Sequence, residues 1–431
     1  MTGSACSAVI LGMLLAPAHA ADRSPPAEVL LVDDAIAVAV RDNPDLAQTR
    51  SRYEALEAVP SQVGTLPDPT VSFGAMNFPT DTFRRSQEPM TQLQFGIRQE
   101  IPFPGKLGLR QEAAEFDAIA AARTVDEARL QLVRSVRTKW WETLYLDRAL
   151  ETVASNQDLL RQFVTVATTK YETGAGLQQD VLLAQLELSR LLEQEIRLVA
   201  MRQTQAIHLN ILMDRLPEAP VRLPETVSKA MGDLPPPGVL YEIAVEKRPL
   251  LATMQSRIEA ARSRLELAER EFYPDFGVAV TYGERAGDNP PFMGGARADV
   301  LSLMLSARIP LYAGRKQSKG VAQRSSELRA DEYALHDQLA QVREQIAGAV
   351  TDYEEARQRH RLYGTGIIPQ ARQTVESMLG GYQVGEVDFL NLVRSQITLL
   401  NYELEYWKSL VEAKAALARL AASVGEDALY E

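Results

Sequence analysis

From about Leu107 to Thr173 the chain keeps a helical spacing of apolar residues and contains no proline. A helix of that span is ~100 Å long at 1.5 Å per residue. A second long helical stretch is expected to run unbroken from just after Arg315 to Gly380-Gly381. No single globular core can bury helices of this length. They must pack side by side, as in a coiled-coil wall.

Each long stretch ends on the same motif. The first reads Tyr-Glu-Thr-Gly-Ala-Gly-Leu-Gln-Gln-Asp-Val-Leu-Leu-Ala-Gln from Tyr171 to Gln185. The second reads Tyr-Gln-Val-Gly-Glu-Val-Asp-Phe-Leu-Asn-Leu-Val-Arg-Ser-Gln from Tyr382 to Gln396. Both hold Tyr-x-x-Gly, then Asp180 or Asn391 six residues after the glycine (Gly174, Gly385), then an apolar run ending in Gln. Helical spacing resumes a few residues beyond each glycine, so residues 171–180 and 382–391 read as sharp helix-helix turns.

What precedes each long stretch also recurs. A helical pattern over Asp33 to about Pro60, restarted at Asn43-Pro44, is matched by Leu240 to Phe272, with Arg248-Pro249 at the same place. Leu66-Pro67-Asp68 is matched by Tyr273-Pro274-Asp275. The period then changes to two: strands are expected over about 70–78 and 91–101, and again over about 275–283 and 299–310. Ile101-Pro-Phe-Pro-Gly-Lys106 closes the first hairpin and Ile309-Pro-Leu-Tyr-Ala-Gly-Arg315 the second. The offset stays within roughly 205 to 211 residues through all of these motifs. The chain is therefore an internal duplication: a first repeat over 21–215, a Pro-rich connector over 216–238, a second repeat over 239–422 and a tail over 423–431.

Composition narrows the function. A formal net charge of −11 leaves no basic footprint for nucleic acid. The first twenty residues hold a short apolar core followed by Ala18-His19-Ala20, the pattern of a cleaved export signal, although the usual preceding Lys or Arg is missing. The one cysteine, Cys6, lies before that core and not after it. A mature chain beginning near Ala21 would have no disulfide, no thiolate metal site and no lipid-modified N-terminus. His208, His336 and His360 are far apart in the sequence, each on a helical stretch with no nucleophile pattern nearby. There is no phosphate-cradling glycine loop, and Trp140-Trp141 reads as helix packing. The residues predict no catalysis, no cofactor and no resident metal.

The strands set the remaining constraint. In each, apolar residues alternate with polar ones. Leu93, Phe95, Ile97, Phe276, Val278, Val280, Leu301, Leu303 and Leu305 fall on one side, and Gln92, Gln94, Arg98, Thr281, Ser302, Ser306 and Arg308 on the other. A sheet packed on a soluble core gives the same alternation. Strands of this length also cross a bilayer core when tilted. In lipid an open sheet edge would leave backbone groups unpaired, so the four strands of one chain would have to close a barrel with other copies. Two copies give eight strands, a barrel filled by its own side chains, whereas three give twelve and enough helices to wall a wide tube. The export signal and the long helices favour the membrane reading, with three copies.

On the two helix-hairpin-helix repeats, the Ile101-Pro-Phe-Pro-Gly-Lys106 motif and the twin Tyr-x-x-Gly turns, nearly the whole mature chain resembles the TolC-like outer-membrane factor family. These are the exit ducts of tripartite efflux and secretion systems. The resemblance implies a homotrimer with mainly α structure: a trimeric α-barrel of long helical hairpins in the periplasm, capped by a shared 12-stranded transmembrane β-barrel, four strands per chain. It implies a mixed equatorial region built from the connector and the terminal segments. It implies a passive outer-membrane channel that works with a periplasmic membrane-fusion adaptor and an inner-membrane pump of the RND type. The two turns would form the periplasmic tip, where the adaptor docks and the closed pore is narrowest, with Tyr171, Gly174, Asp180, Tyr382, Gly385, Asn391 and Arg394 as its residues. In the drug-efflux member, two pore-ringing aspartates and a latching arginine follow the second turn. Here those places hold Asn391, Arg394 and Val387, and Glu386 and Asp388 are the acids nearby. Ile101-Pro-Phe-Pro-Gly-Lys106 is similar to the wording of branches that serve heavy-metal exporters, which points to metal cations as cargo, with drugs or other small molecules as the alternative. The competing reading from another class is a soluble periplasmic coiled-coil scaffold or adaptor.

Overall fold

The computed structural model describes residues 29–430. The expected export signal over residues 1–20 and Cys6 lie outside the described residues. The first repeat starts with α1 (Val32–Asp42), α2 (Pro44–Glu57) and α3 (Val59–Gly64). The break between α1 and α2 follows from Asn43-Pro44. Asn43 is held extended, as a residue before proline must be, and its side chain caps α2 by accepting from the Leu46 N–H at 3.0 Å. Strands β1 (Thr70–Met76) and β2 (Gln92–Ile101) follow, then the 67-residue α4 (Lys106–Glu172) and α5 (Gln178–Leu212). The second repeat holds α6 (Pro237–Lys247), α7 (Pro249–Arg270), β3 (Asp275–Arg285), β4 (Val300–Arg308), α8 (Gln317–Leu362), α9 (Ile368–Val384) and α10 (Phe389–Val424).

The second long stretch is not the unbroken helix that its apolar spacing predicts. A single π-helical turn, Tyr363–Ile367, separates α8 from α9. The reason is Pro369, which has no N–H to donate and whose ring would collide with the carbonyl four residues back. Widening the turn relieves both, and Gly364 and Gly366 lie in the widened segment. Strand β1 ends two residues short of its expected bound and β3 runs two residues beyond it.

The four strands form one antiparallel sheet in the order β1-β2-β3-β4. Its register is self-consistent across the repeats. Phe73 faces Phe95, Phe95 faces Tyr282, and Tyr282 faces Leu301; Val71 faces Ile97, Ile97 faces Val280, and Val280 faces Leu303. Directly opposed residues share a face, so one side of the sheet is almost wholly apolar. The other side carries Ser72, Gln94, Arg98, Thr281, Ser302, Ser306 and Arg308. Among the described residues nothing packs over the apolar side: Val71, Phe73, Phe95, Ile97, Leu301, Leu303 and Leu305 are all exposed. Strands β1 and β4 each have one unpaired edge.

Below the sheet the helices lie side by side. Helix α4 has α5 on one flank and α10 on the other, and α10 packs on α8 and α9; nearer the sheet the neighbours of α4 are α2, α3 and α7, and α7 packs on α8. Shorter helices thus meet end to end beside the long ones. Asn43 Nδ2 donates to Leu212 O at 3.0 Å, joining the start of α2 to the end of α5. The second repeat makes the matching joint between Arg248 and the end of α10, where Arg248 Nη1 donates to Ser423 O at 3.3 Å. Gly425 has a left-handed backbone (φ 82°), and a side chain there would strike the backbone of Arg248.

Around the middle of α4 both ends of the described chain are tied to the wall. Trp140 Nε1 donates to Leu30 O at 3.0 Å and Trp141 Nε1 to the Tyr430 hydroxyl at 2.5 Å, while Arg137 pairs with Asp427 at 2.9 Å. Residue 30 in turn bonds to Arg222 of the connector through its N–H. The main packed cluster at this level gathers Ala35, Leu46, Val136, Trp140, Leu144, Leu209, Met213, Val221 and Leu410. Trp140 and Trp141 are helix-packing residues, and they anchor this girdle.

Candidate functional site

The far end of the helical wall consists of two turns. Helix α4 ends at Glu172; Thr173 caps it, and Gly174 takes the left-handed conformation (φ 72°) that reverses the chain. The Ala175 N–H donates to Lys170 O at 2.8 Å, which satisfies one of the last carbonyls of α4. In the second turn Gly385 is left-handed (φ 84°), and the Glu386 N–H donates to Gly381 O at 2.9 Å. The turn glycines are needed because a side chain at φ near 80° is strained.

The two turns share their spelling but not their environment. Tyr171 is exposed, whereas Tyr382 is buried between the two hairpins. Its ring lies 5.0 Å from Phe389 and its hydroxyl donates to Asp180 Oδ2 at 3.4 Å. Lys170, from the last turn of α4, donates through Nζ to the Tyr382 carbonyl at 2.5 Å and sits over the Tyr382 ring at 4.4 Å. Lys170, Asp180 and Tyr382 thus form the polar bridge between the α4–α5 hairpin and the α9–α10 hairpin. Apolar packing flanks it: Phe163, Ala167, Ala184, Phe389, Leu392 and Val393 belong to one buried cluster.

The electrostatics of this bridge are dominated by burial. Burial, with the Asp180 charge beside it, pushes the Tyr382 phenol up to about 12, so its hydroxyl stays protonated and donates. Burial raises the Asp180 carboxyl above its ordinary value, and the charge of Asp388 adds to the rise. The Tyr382 hydroxyl and Lys170 oppose it without cancelling it.

Of the seven residues picked out in the sequence, two meet across the tip, Asp180 and Tyr382, and two make the turns, Gly174 and Gly385. Tyr171, Asn391 and Arg394 are exposed, and so are Glu386 and Asp388. Sequence reasoning missed Lys170 and Phe389. Lys170 immediately precedes the first motif and had no counterpart to draw attention to it, since Gly381 holds the matching place. His360, on α8, is buried, stacks on Tyr406 at 4.2 Å and donates through Nδ1 to the Tyr406 carbonyl at 3.0 Å. Burial lowers its pKa, which suits a neutral packing residue.

A family model described as outer membrane efflux protein matches residues 35–213 and 240–426, one stretch in each repeat. Among curated proteins, the chain is 23% identical over 270 residues to the alkaline protease secretion protein AprF of Pseudomonas aeruginosa. That match covers 58% of this chain, and the chain spans about half (52%) of the length of that relative. Among solved structures, the fold is similar to the outer membrane protein VceC of Vibrio cholerae, with a TM-score of 0.76 at 20% identity over 93% of this chain and 97% of that one. It is similar to CusC, with a TM-score of 0.78 at 14% identity over 92% of both chains. It is also similar to the outer-membrane channel OprN, with a TM-score of 0.76 at 18% identity over 92% of this chain and 90% of that one. Matched across both of its repeats, the chain belongs to the outer membrane efflux protein family, whose members are channels and not enzymes.

Proposed function

We propose that this outer-membrane efflux channel is a passive homotrimeric duct. Three copies of the four-stranded sheet would close a twelve-stranded barrel in the outer membrane, and their helices would wall a tube extending into the periplasm. The observation that carries this reading is the sheet itself. One face is apolar and uncovered, and both edges carry unpaired backbone groups. An uncovered apolar face this large marks a membrane or a partner surface, and lipid tolerates no open edge. Among the described residues no helix is long and apolar enough to cross a bilayer, so the sheet is the element that would do so. The same face argues against the alternative of a soluble periplasmic scaffold, which would leave it in water.

The tip would be the periplasmic mouth. The Lys170–Asp180–Tyr382 bridge would hold it closed, and opening would part the two hairpins, a two-state change in helix packing. Exposed Asn391 and Arg394 would meet a membrane-fusion adaptor coupled to an inner-membrane pump of the RND type, which would supply the energy. Cargo would be small solutes, metal cations or organic molecules, chosen by the pump. Similarity to a protein named for alkaline protease secretion supports a second reading of the cargo, an exported polypeptide. The test is to fractionate cells and reconstitute the purified protein in planar bilayers. A duct is recovered with the outer membrane and gives discrete conductance steps. Recovery as a soluble monomer in the periplasmic fraction would refute it.

A further inference from the structure

The two repeats are joined at the foot of the sheet by a buried lysine. Lys106, at the exit of the first hairpin, is 1% exposed. Its Nζ donates to Asp275 Oδ1 at 2.8 Å and to Tyr273 O at 3.1 Å, and lies 3.4 Å from Glu271 Oε2. The Phe103 N–H donates to the same Asp275 oxygen at 2.9 Å, and the Phe103 ring stacks on Tyr273 at 4.6 Å. The exit of hairpin one therefore grips the entry of hairpin two.

The duplication leaves the matching pair unused. The entry of hairpin one is Leu66-Pro67-Asp68, the counterpart of Tyr273-Pro274-Asp275, and the exit of hairpin two ends in Arg315, the counterpart of Lys106. These two segments lead into β1 and out of β4, the two edges of the sheet. Asp68 and Arg315 are both exposed, and neither side chain makes an ion pair or hydrogen bond among the described residues. Arg110, which lines the groove beside Asp68, lies 3.7 Å from Glu271. Leu311 and Leu66, the counterparts of Phe103 and Tyr273, are exposed as well.

We propose that Arg315 of one copy binds Asp68 of the next copy in the ring, with Leu311 packed on Leu66, repeating between copies the grip that Lys106 makes within one. The inference rests on the ring reading above and deepens it by naming the seam. It also fixes a register. Carrying the β2–β3 pairing over by the repeat offset sets Leu305 opposite Phe73, Leu303 opposite Ala75 and Ala307 opposite Val71 of the next copy. Every one of these residues lies on the apolar face, and a slip of one residue would break that agreement. Arginine suits an exposed seam, because its planar fork offers a carboxylate two parallel hydrogen bonds where lysine offers a point charge.

The test uses the full chain in a Cys6→Ser background, which removes the one native cysteine. Two differently tagged chains, one Asp68→Cys and one Arg315→Cys, are coexpressed, extracted in detergent, weighed for oligomeric mass and treated with a short bismaleimide. The pairing predicts products that join the two tags and none within a population carrying either substitution alone. In parallel, Asp68→Arg or Arg315→Asp alone lowers the temperature at which the oligomer dissociates by several degrees, and the exchange of both charges recovers most of that loss. A single-chain mass overturns the ring and the pairing with it. A ring mass without cross-tag product, or a charge exchange that recovers nothing, overturns the pairing and leaves the ring standing.

Discussion

Tyr382 shows what a burial difference does to two copies of one motif. Its hydroxyl is protonated and donates to a carboxylate across the tip, while Tyr171 faces solvent. At 3.4 Å the bond is long, so its loss should cost about 1 kcal/mol, which shifts a closed-to-open ratio about fivefold. Tyr382→Phe is therefore expected to raise basal conductance in planar bilayers by about that factor, and unchanged conductance would remove the bond from the gate. Asp180 adds a pH dependence. Its carboxyl pKa is raised in the tip as it stands, which the proposed gate takes as the closed form, chiefly by burial. A tip opened to water would return it to the ordinary value, so the closed form binds the proton more tightly. Above the raised pKa the closed tip carries the cost of a buried charge, and that cost disappears as pH falls through it. Acidifying the tip-side bath should lower conductance, and Asp180→Asn should remove the dependence; a wild-type response of opposite sign would contradict the assignment. At the other end of α4, Lys106→Met removes the partner of a partly buried Asp275. Breaking a fully buried pair costs about 3–5 kcal/mol; because Asp275 keeps some solvent, about 2 is expected, read as a lowered melting temperature in detergent.

At the scale of elements, the hairpins were legible in the sequence because a strand with one buried or lipid-facing side must alternate with period two. The register confirms that all four strands put their apolar residues on a common side. A charge placed on that side should be costly and one on the other side should not. Leu303→Arg is expected to destabilise a membrane-inserted sheet by about 2–4 kcal/mol if it sits near mid-bilayer, and Ser302→Arg by far less. The check is the amount of assembled protein recovered from the outer membrane, and equal yields would place neither side in lipid. The break in the second long helix was legible in Pro369, but the apolar spacing continues through the π-helical turn and masks it. The contacts at the tip were not legible. The Asp180–Tyr382 contact joins residues 202 apart, and the likeness of the two motifs says nothing about which tyrosine is covered. Lys170 escaped for the same reason: its partner is a carbonyl 212 residues away.

At the scale of the molecule, one chain is a set of unfinished parts. Strands β1 and β4 have open edges, and the flank of α5 away from α4 leaves Leu182, Leu186, Ile196 and Val199 exposed. In the proposed ring, what exit one does to entry two within a chain, exit two would do to entry one of the next. Four strands per chain then favour three copies, since eight strands would be filled by side chains and twelve leave a passage. The measurement that bears on this most directly is native mass spectrometry of the detergent-extracted protein. The account predicts a complex three times the mass of one mature chain. A complex of one or two chains would contradict it.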